Sequence, residues 1–186
     1  MTNIYPMEQL ESTQWLERYL ERKLSQNVSL DNSRYKEVRS FMLLWNIFER
    51  VFLNNNANAG RVWNIQNEIV PCRKDLDHYY SFLIKEYVEE VSFKKLNFDY
   101  KVDGRMPEHQ YGKDVFERLR KETPSEAEKK QVCLMVLWRY RNNLFHGGKE
   151  ISNIWKQGNI FLEANRFLVS LLSQKTGISL HYKVDE

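Results

Sequence analysis

Residues 132 to 138 read VCLMVLW, an unbroken apolar run inside a longer segment, TPSEAEKKQVCLMVLWRYRNNLFHGGK, that carries helix punctuation at both ends. A helix that is apolar all round must be covered on most sides, so this one belongs in the middle of a helical assembly or also meets a partner subunit. Thr123 is placed to cap it, Pro124 suits the first helical position, and Glu126 completes a Thr-x-x-Glu capping box. Gly147 and Gly148 supply a left-handed stop at the other end. The rest of the chain has to wrap around this segment.

The remaining periodic segments are helical as well. Residues 7 to 24 place Met7, Leu10, Trp15, Leu16, Tyr19, Leu20 and Leu24 at helical spacing, and the Ser-, Asn- and Asp-rich residues 25 to 33 form a linker. Residues 34 to 53 carry a wide apolar stripe with Phe41, Trp45 and Phe48, stopped by NNNANAG at 54 to 60. A short helix is expected from Val62 to Val70, ended by Pro71. Residues 75 to 93 form a further helix with Asp75 as N-cap. Periodicity is lost over 95 to 113, which reads as a long loop, and a short helix follows at 114 to 121. The closing helix lies within Ile151 to Gly177, with Asn153 as a cap. Strand alternation is absent apart from the SLHYKV tail. The expected fold class is all-α, four principal helices plus an accessory N-terminal helix and short connecting ones. Residues 1–33 form the N-terminal helix and linker, 34–177 the helical domain and 178–186 a tail.

Composition narrows the function classes. A chain of 186 residues suits one domain, and 28 Lys plus Arg against 25 Asp plus Glu permits nucleic-acid binding without arguing for it. Cys72 and Cys133 show no CxxC or histidine pattern, so neither a disulfide framework nor a zinc site is indicated. The N-terminus lacks the apolar core of a signal peptide, and nowhere do about 18 apolar residues run together, so a cytoplasmic protein with no membrane span is expected. Glycine-rich phosphate loops, HExxH, GxSxG and clustered acids for two metals are all missing, and no cofactor is implied.

Chemistry therefore concentrates at RNNLFHGGK, residues 141 to 149, and above all at Arg141 and His146. The bare spacing carries little weight, because it recurs at Arg73 to His78 and at Arg139 to His146. Position carries more: the pair ends the most buried helix, a rigid support, whereas the Arg73 match falls where Pro71 and two aspartates suggest a turn. Five residues along a helix rotate about 140 degrees, so Arg141 and His146 share a face only if the last turn is distorted or the pair acts across a dimer.

RNNLFHG after a buried apolar helix resembles the Arg-x4-6-His signature of HEPN-domain proteins, an α-helical superfamily rich in prokaryotic RNases, with an Apea-like and abortive-infection flavour. FMLLWNIFERVF, with Glu49, resembles their first core helix, and the likeness covers about Arg34 to Thr176. It implies an up-and-down four-helix bundle that dimerises so that two motifs form one cleft. It also implies metal-independent RNA cleavage, in which a 2'-hydroxyl attacks the adjacent phosphate and leaves a 2',3'-cyclic phosphate. The catalytic set would be Arg141, which can hold the phosphate through two hydrogen bonds, His146, whose imidazole titrates near neutrality, and Asn142, which orients the histidine or the phosphate. Asn143 and Lys149 would contact RNA and Glu49 would support the site. Partners would be RNA, a second copy, and an antitoxin or sensor protein. One branch carries a modifiable tyrosine two residues after the histidine; Gly148 stands there, so regulation by that modification is not expected.

Other readings stay open at this level. Arginine and histidine near a helix C-terminus also complement its dipole, with glycine as cap. A HEPN-type module that binds nucleotide or RNA without cutting it, or only oligomerises, fits the same residues, as does a helical adaptor with an accidental motif. Tryptophans on apolar stripes, Trp45 and Trp138 among them, read as core, His78 as solvated or locally hydrogen-bonded, and EAEKK as exposed helix surface.

Overall fold

The computed structural model describes residues 33–89, 109–145 and 157–177. Six α-helices lie within them: α1 Ser33–Leu53, α2 Ala59–Asn64, α3 Arg73–Ile84, α4 His109–Leu119, α5 Glu126–Phe145 and α6 Gly158–Thr176. A 3-10 turn, Ile65–Asn67, follows α2, and a π-helical turn, Lys85–Glu89, continues α3. No strand occurs among the described residues, so the all-α expectation holds. The expected N-terminal helix at 7–24, the Gly147–Gly148 stop, the Asn153 cap and the SLHYKV tail lie outside the described residues.

Helix α5 is the hub. Every residue from Gln131 to Tyr140 is buried, including Val132, Cys133, Leu134, Met135, Val136 and Leu137 at 0 % exposure. Helices α2, α3 and α4 surround it, while α1 lies along α6 and α6 in turn meets α3. Burying an apolar side chain contributes about 1.5–3 kcal/mol, which is why a helix without a polar face settles where neighbours cover it on all sides. Aromatic rings close the centre: Phe41 of α1 lies 5.2 Å from Phe161 of α6 and 6.4 Å from Tyr140 of α5, and Tyr79 of α3 stacks at 4.8 Å on Phe167 of α6. Trp45 and Trp138, 1 % and 4 % exposed, are core residues as their stripes predict.

Several boundaries differ from the sequence reading, each for a local reason. Helix α5 is capped by Ser125, whose Oγ accepts from the Glu128 backbone N–H at 3.3 Å while Glu128 Oε2 accepts from the Ser125 N–H at 2.7 Å. The capping box is therefore Ser125-x-x-Glu128, two residues beyond Thr123-x-x-Glu126, and Pro124 precedes the cap. Helix α3 starts at Arg73, two residues before the expected Asp75 cap; Asp75 sits in its first turn, where the helix dipole favours a carboxylate, and accepts from Ser170 Oγ at 2.6 Å. Helix α4 begins at His109, so the C-terminal part of the expected 95–113 loop is helical. Asn58 caps α2, accepting from the Arg61 N–H at 3.0 Å, which starts that helix at Ala59 rather than Val62. The described closing helix starts at Gly158 and ends where expected, at Gly177, whose φ of 69° is the left-handed stop.

Candidate functional site

Arg141 stands one turn from the described end of α5, with its side chain 28 % exposed. Its Nη1 donates to Asn142 Oδ1 at 3.2 Å, and its Nη2 lies 3.9 Å from Glu49 Oε2. Glu49 is itself fixed from both sides: Trp45 Nε1 donates to its Oε2 at 2.9 Å and the Ala57 backbone N–H donates to its Oε1 at 3.1 Å. A carboxylate anchored by a buried indole and a loop amide thus faces the guanidinium, and it limits how far Arg141 can swing.

The loop that supplies Ala57 has a specific backbone. Asn54 and Asn55 adopt φ values of 50° and 57°, the left-handed region that asparagine tolerates better than other residues with a Cβ. This reversal lets the Asn55 N–H donate to the Glu49 carbonyl at 3.2 Å and turns the chain so that Ala57 meets the Glu49 side chain. The asparagine run that stops α1 therefore also builds one wall of the Arg141 site.

A second brace comes from the π-helical turn. Tyr87, 3 % exposed, shares a 2.7 Å hydrogen bond with the hydroxyl of Tyr140, the residue before Arg141. Burial pushes the Tyr87 and Tyr140 hydroxyls well above the ordinary phenol range, so both stay protonated and act as a neutral tie between α3 and α5. Single π turns often occur at functional sites because the extra residue re-aims a side chain; here the turn carries Tyr87, which meets α5 beside Arg141.

The structure brings Arg141, Asn142 and Glu49 together. Asn142 and Asn143 are both buried, at 8 % and 9 % exposure. His146 and Lys149 lie outside the described residues. No group of three or more His, Cys, Asp or Glu able to hold a metal occurs among the described residues, and no described helix is long and apolar enough to cross a membrane.

A different polar seam went unread in the sequence. His78 Nε2 of α3 lies 2.8 Å from Glu163 Oε2 of α6, and Arg166 Nη1 donates to Glu163 Oε1 at 2.7 Å. Glu163 is 8 % exposed, so His78 has a partner that its neighbours in sequence do not reveal. Lys129, inside EAEKK, reaches across to Asp77 at 2.6 Å, so that charge run is partly an interhelical contact. A glutamate on an otherwise apolar stripe of the last helix was the available signal for the His78 partner. No family model matches the chain, and no curated protein or solved structure is significantly similar to it.

Proposed function

We propose that the chain is a HEPN-like, metal-independent endoribonuclease that acts as a cytoplasmic homodimer, a toxin or anti-phage effector that cuts RNA. The observation that carries this reading is Arg141: a partly exposed guanidinium at the end of the most buried helix, held in place by Asn142 and by the anchored Glu49. Charge that is positioned in advance stabilises developing negative charge most effectively, because nothing has to reorganise during the reaction.

In this reading the 2'-oxygen forms a bond to phosphorus as the bond from phosphorus to the 5'-oxygen breaks. A base takes the 2'-hydroxyl proton and an acid returns one to the leaving 5'-oxygen, which leaves a 2',3'-cyclic phosphate. Arg141 faces the phosphate oxygens. His146 supplies one proton transfer, and the dimer mate's histidine supplies the other. A helix C-terminus favours the protonated imidazole, which suits the acid role. Asn142 orients the arginine. Asn143, 9 % exposed, and Lys149 would contact the RNA. An up-and-down arrangement of four principal helices and a two-fold axis that brings two motifs together belong to the same proposal.

The test is the chemistry of the product. Incubation of the purified chain with tRNA, mRNA and rRNA in excess chelator is expected to give fragments that end in 2',3'-cyclic phosphate. A 2'-deoxy nucleotide at the cut position is expected to block cleavage. Binding of these RNAs with no cleavage would instead favour the non-catalytic module.

A further inference from the structure

Asn54 and Asn55 stand in succession in the left-handed backbone region, at φ 50° and 57°. Glycine takes that backbone without steric cost, and asparagine is among the few other residues that visit it. Stopping α1 therefore needs no amide, yet Asn54, Asn55, Asn56 and Asn58 all carry one, and all four are exposed. Asn58 is engaged within the corner: its Oδ1 accepts from the Arg61 N–H at 3.0 Å, and its Nδ2 donates to Asn56 Oδ1 at 3.5 Å. The Asn54 and Asn55 side chains have no hydrogen-bond partner among the described residues.

The backbone that presents these two amides is tied down at three points. The Asn55 N–H donates to the Glu49 carbonyl at 3.2 Å, the Asn56 N–H to the Leu53 carbonyl at 3.1 Å and the Ala57 N–H to Glu49 Oε1 at 3.1 Å. Glu49 Oε2 faces Arg141 Nη2 at 3.9 Å, so a single carboxylate separates the corner from the guanidinium. Loops held by a rigid scaffold commonly carry binding residues. A strand whose phosphate meets Arg141 has the open amides as its near neighbours.

We propose that Asn54 and Asn55 read the edge of an unstacked adenine in single-stranded RNA, beside the phosphate that Arg141 holds. The inference rests on the reading of Arg141 as a phosphate clamp and adds a base preference to that site. Phosphate contacts position a strand, base contacts specify it, and sequence-specific RNA recognition targets bases whose edges are open. A side-chain amide offers both a donor and an acceptor. Adenine matches that pair on two edges, through N6 with N7 and through N6 with N1, whereas guanine shows two acceptors, N7 and O6, on the first of these. The pyrimidines match it on one edge only.

The test measures binding by the full chain, so it does not depend on cleavage. The probes are uridine octamers with one central A, C, G or U, built on 2'-fluoro sugars that leave no 2'-hydroxyl to attack. The octamer with central adenine is expected to bind at least about fivefold tighter than the other three, the discrimination of one well-placed amide pair. Asn54→Gly with Asn55→Gly suits the same backbone and is expected to bring all four within about twofold of one another. Equal affinities in the parent chain, or an adenine preference that survives the double glycine variant, would overturn the proposal. Arg141→Ala is expected to weaken all four octamers alike, because a phosphate contact does not read sequence. An adenine preference that the glycines abolish, with affinity unchanged in Arg141→Ala, would support the asparagine corner and count against the phosphate clamp. Uniform weakening by Arg141→Ala with no base preference in the parent would overturn the corner and leave the clamp standing.

Discussion

At the scale of single residues, Glu49 shows how a side chain can serve both stability and a site. It accepts from Trp45 Nε1 and the Ala57 N–H and faces Arg141 at 3.9 Å. Glu49→Ala leaves two donors without that acceptor and is expected to cost about 1–3 kcal/mol in urea unfolding. Glu49→Gln keeps an oxygen acceptor and is expected to cost less than Glu49→Ala while removing the charge opposite Arg141. Equal losses for the two variants would assign Glu49 to its charge rather than to its hydrogen bonds. Asn55, at φ 57°, supports the same corner through the backbone. Asn55→Val is expected to cost about 1–2 kcal/mol, because a β-branched residue is disfavoured in the left-handed region, while Asn55→Gly stays within about 0.5 kcal/mol. Urea midpoints at constant slope measure both.

At the scale of elements, the start of α5 offers a pH test. Glu128 is held down to about 2, against an ordinary value of 4.5, first by its contact with Lys121 and then by the Ser125 N–H that closes the capping box. A lowered folded-state pKa means that this stabilisation is fully present above about 4.5 and is lost as pH falls through about 2. Glu128→Gln is therefore expected to be less stable than the parent chain at pH 7, with the difference shrinking towards zero as pH drops from 4.5 to 2. A difference that stays constant across that window would mean that the charge plays no part. The same helix start shows how far the sequence is legible. Thr123-Pro124-Ser125-Glu126-Ala127-Glu128 holds two overlapping capping signatures, and pattern alone does not choose between Thr123 and Ser125. The choice falls to tertiary contacts, here the Lys121 ammonium that joins Glu128 at 2.8 Å.

For the whole molecule, the VCLMVLW run was the most informative feature, because a helix with no polar face has only one place to go, and α5 lies at the centre of the described fold. Arg141 and Asn142 were legible as candidates because they follow that run directly, whereas Glu49 entered only through the likeness of FMLLWNIFERVF to a HEPN first core helix and lies 3.9 Å from Arg141. The His78–Glu163 pair was not legible, since its members stand 85 residues apart and meet only through the packing of α3 on α6. Short elements such as α2 and the first turns of α4 were placed imprecisely because few residues of periodicity set their ends. The central claim is that Arg141 clamps a phosphate during RNA cleavage. The most direct test is single-turnover RNA cleavage by Arg141→Ala, with His146→Ala alongside and folding verified by circular dichroism. The proposed mechanism predicts losses of about 10²–10³-fold for Arg141→Ala and about 10²–10⁴-fold for His146→Ala at unchanged helicity. Parent-level cleavage by the folded Arg141→Ala variant would contradict it.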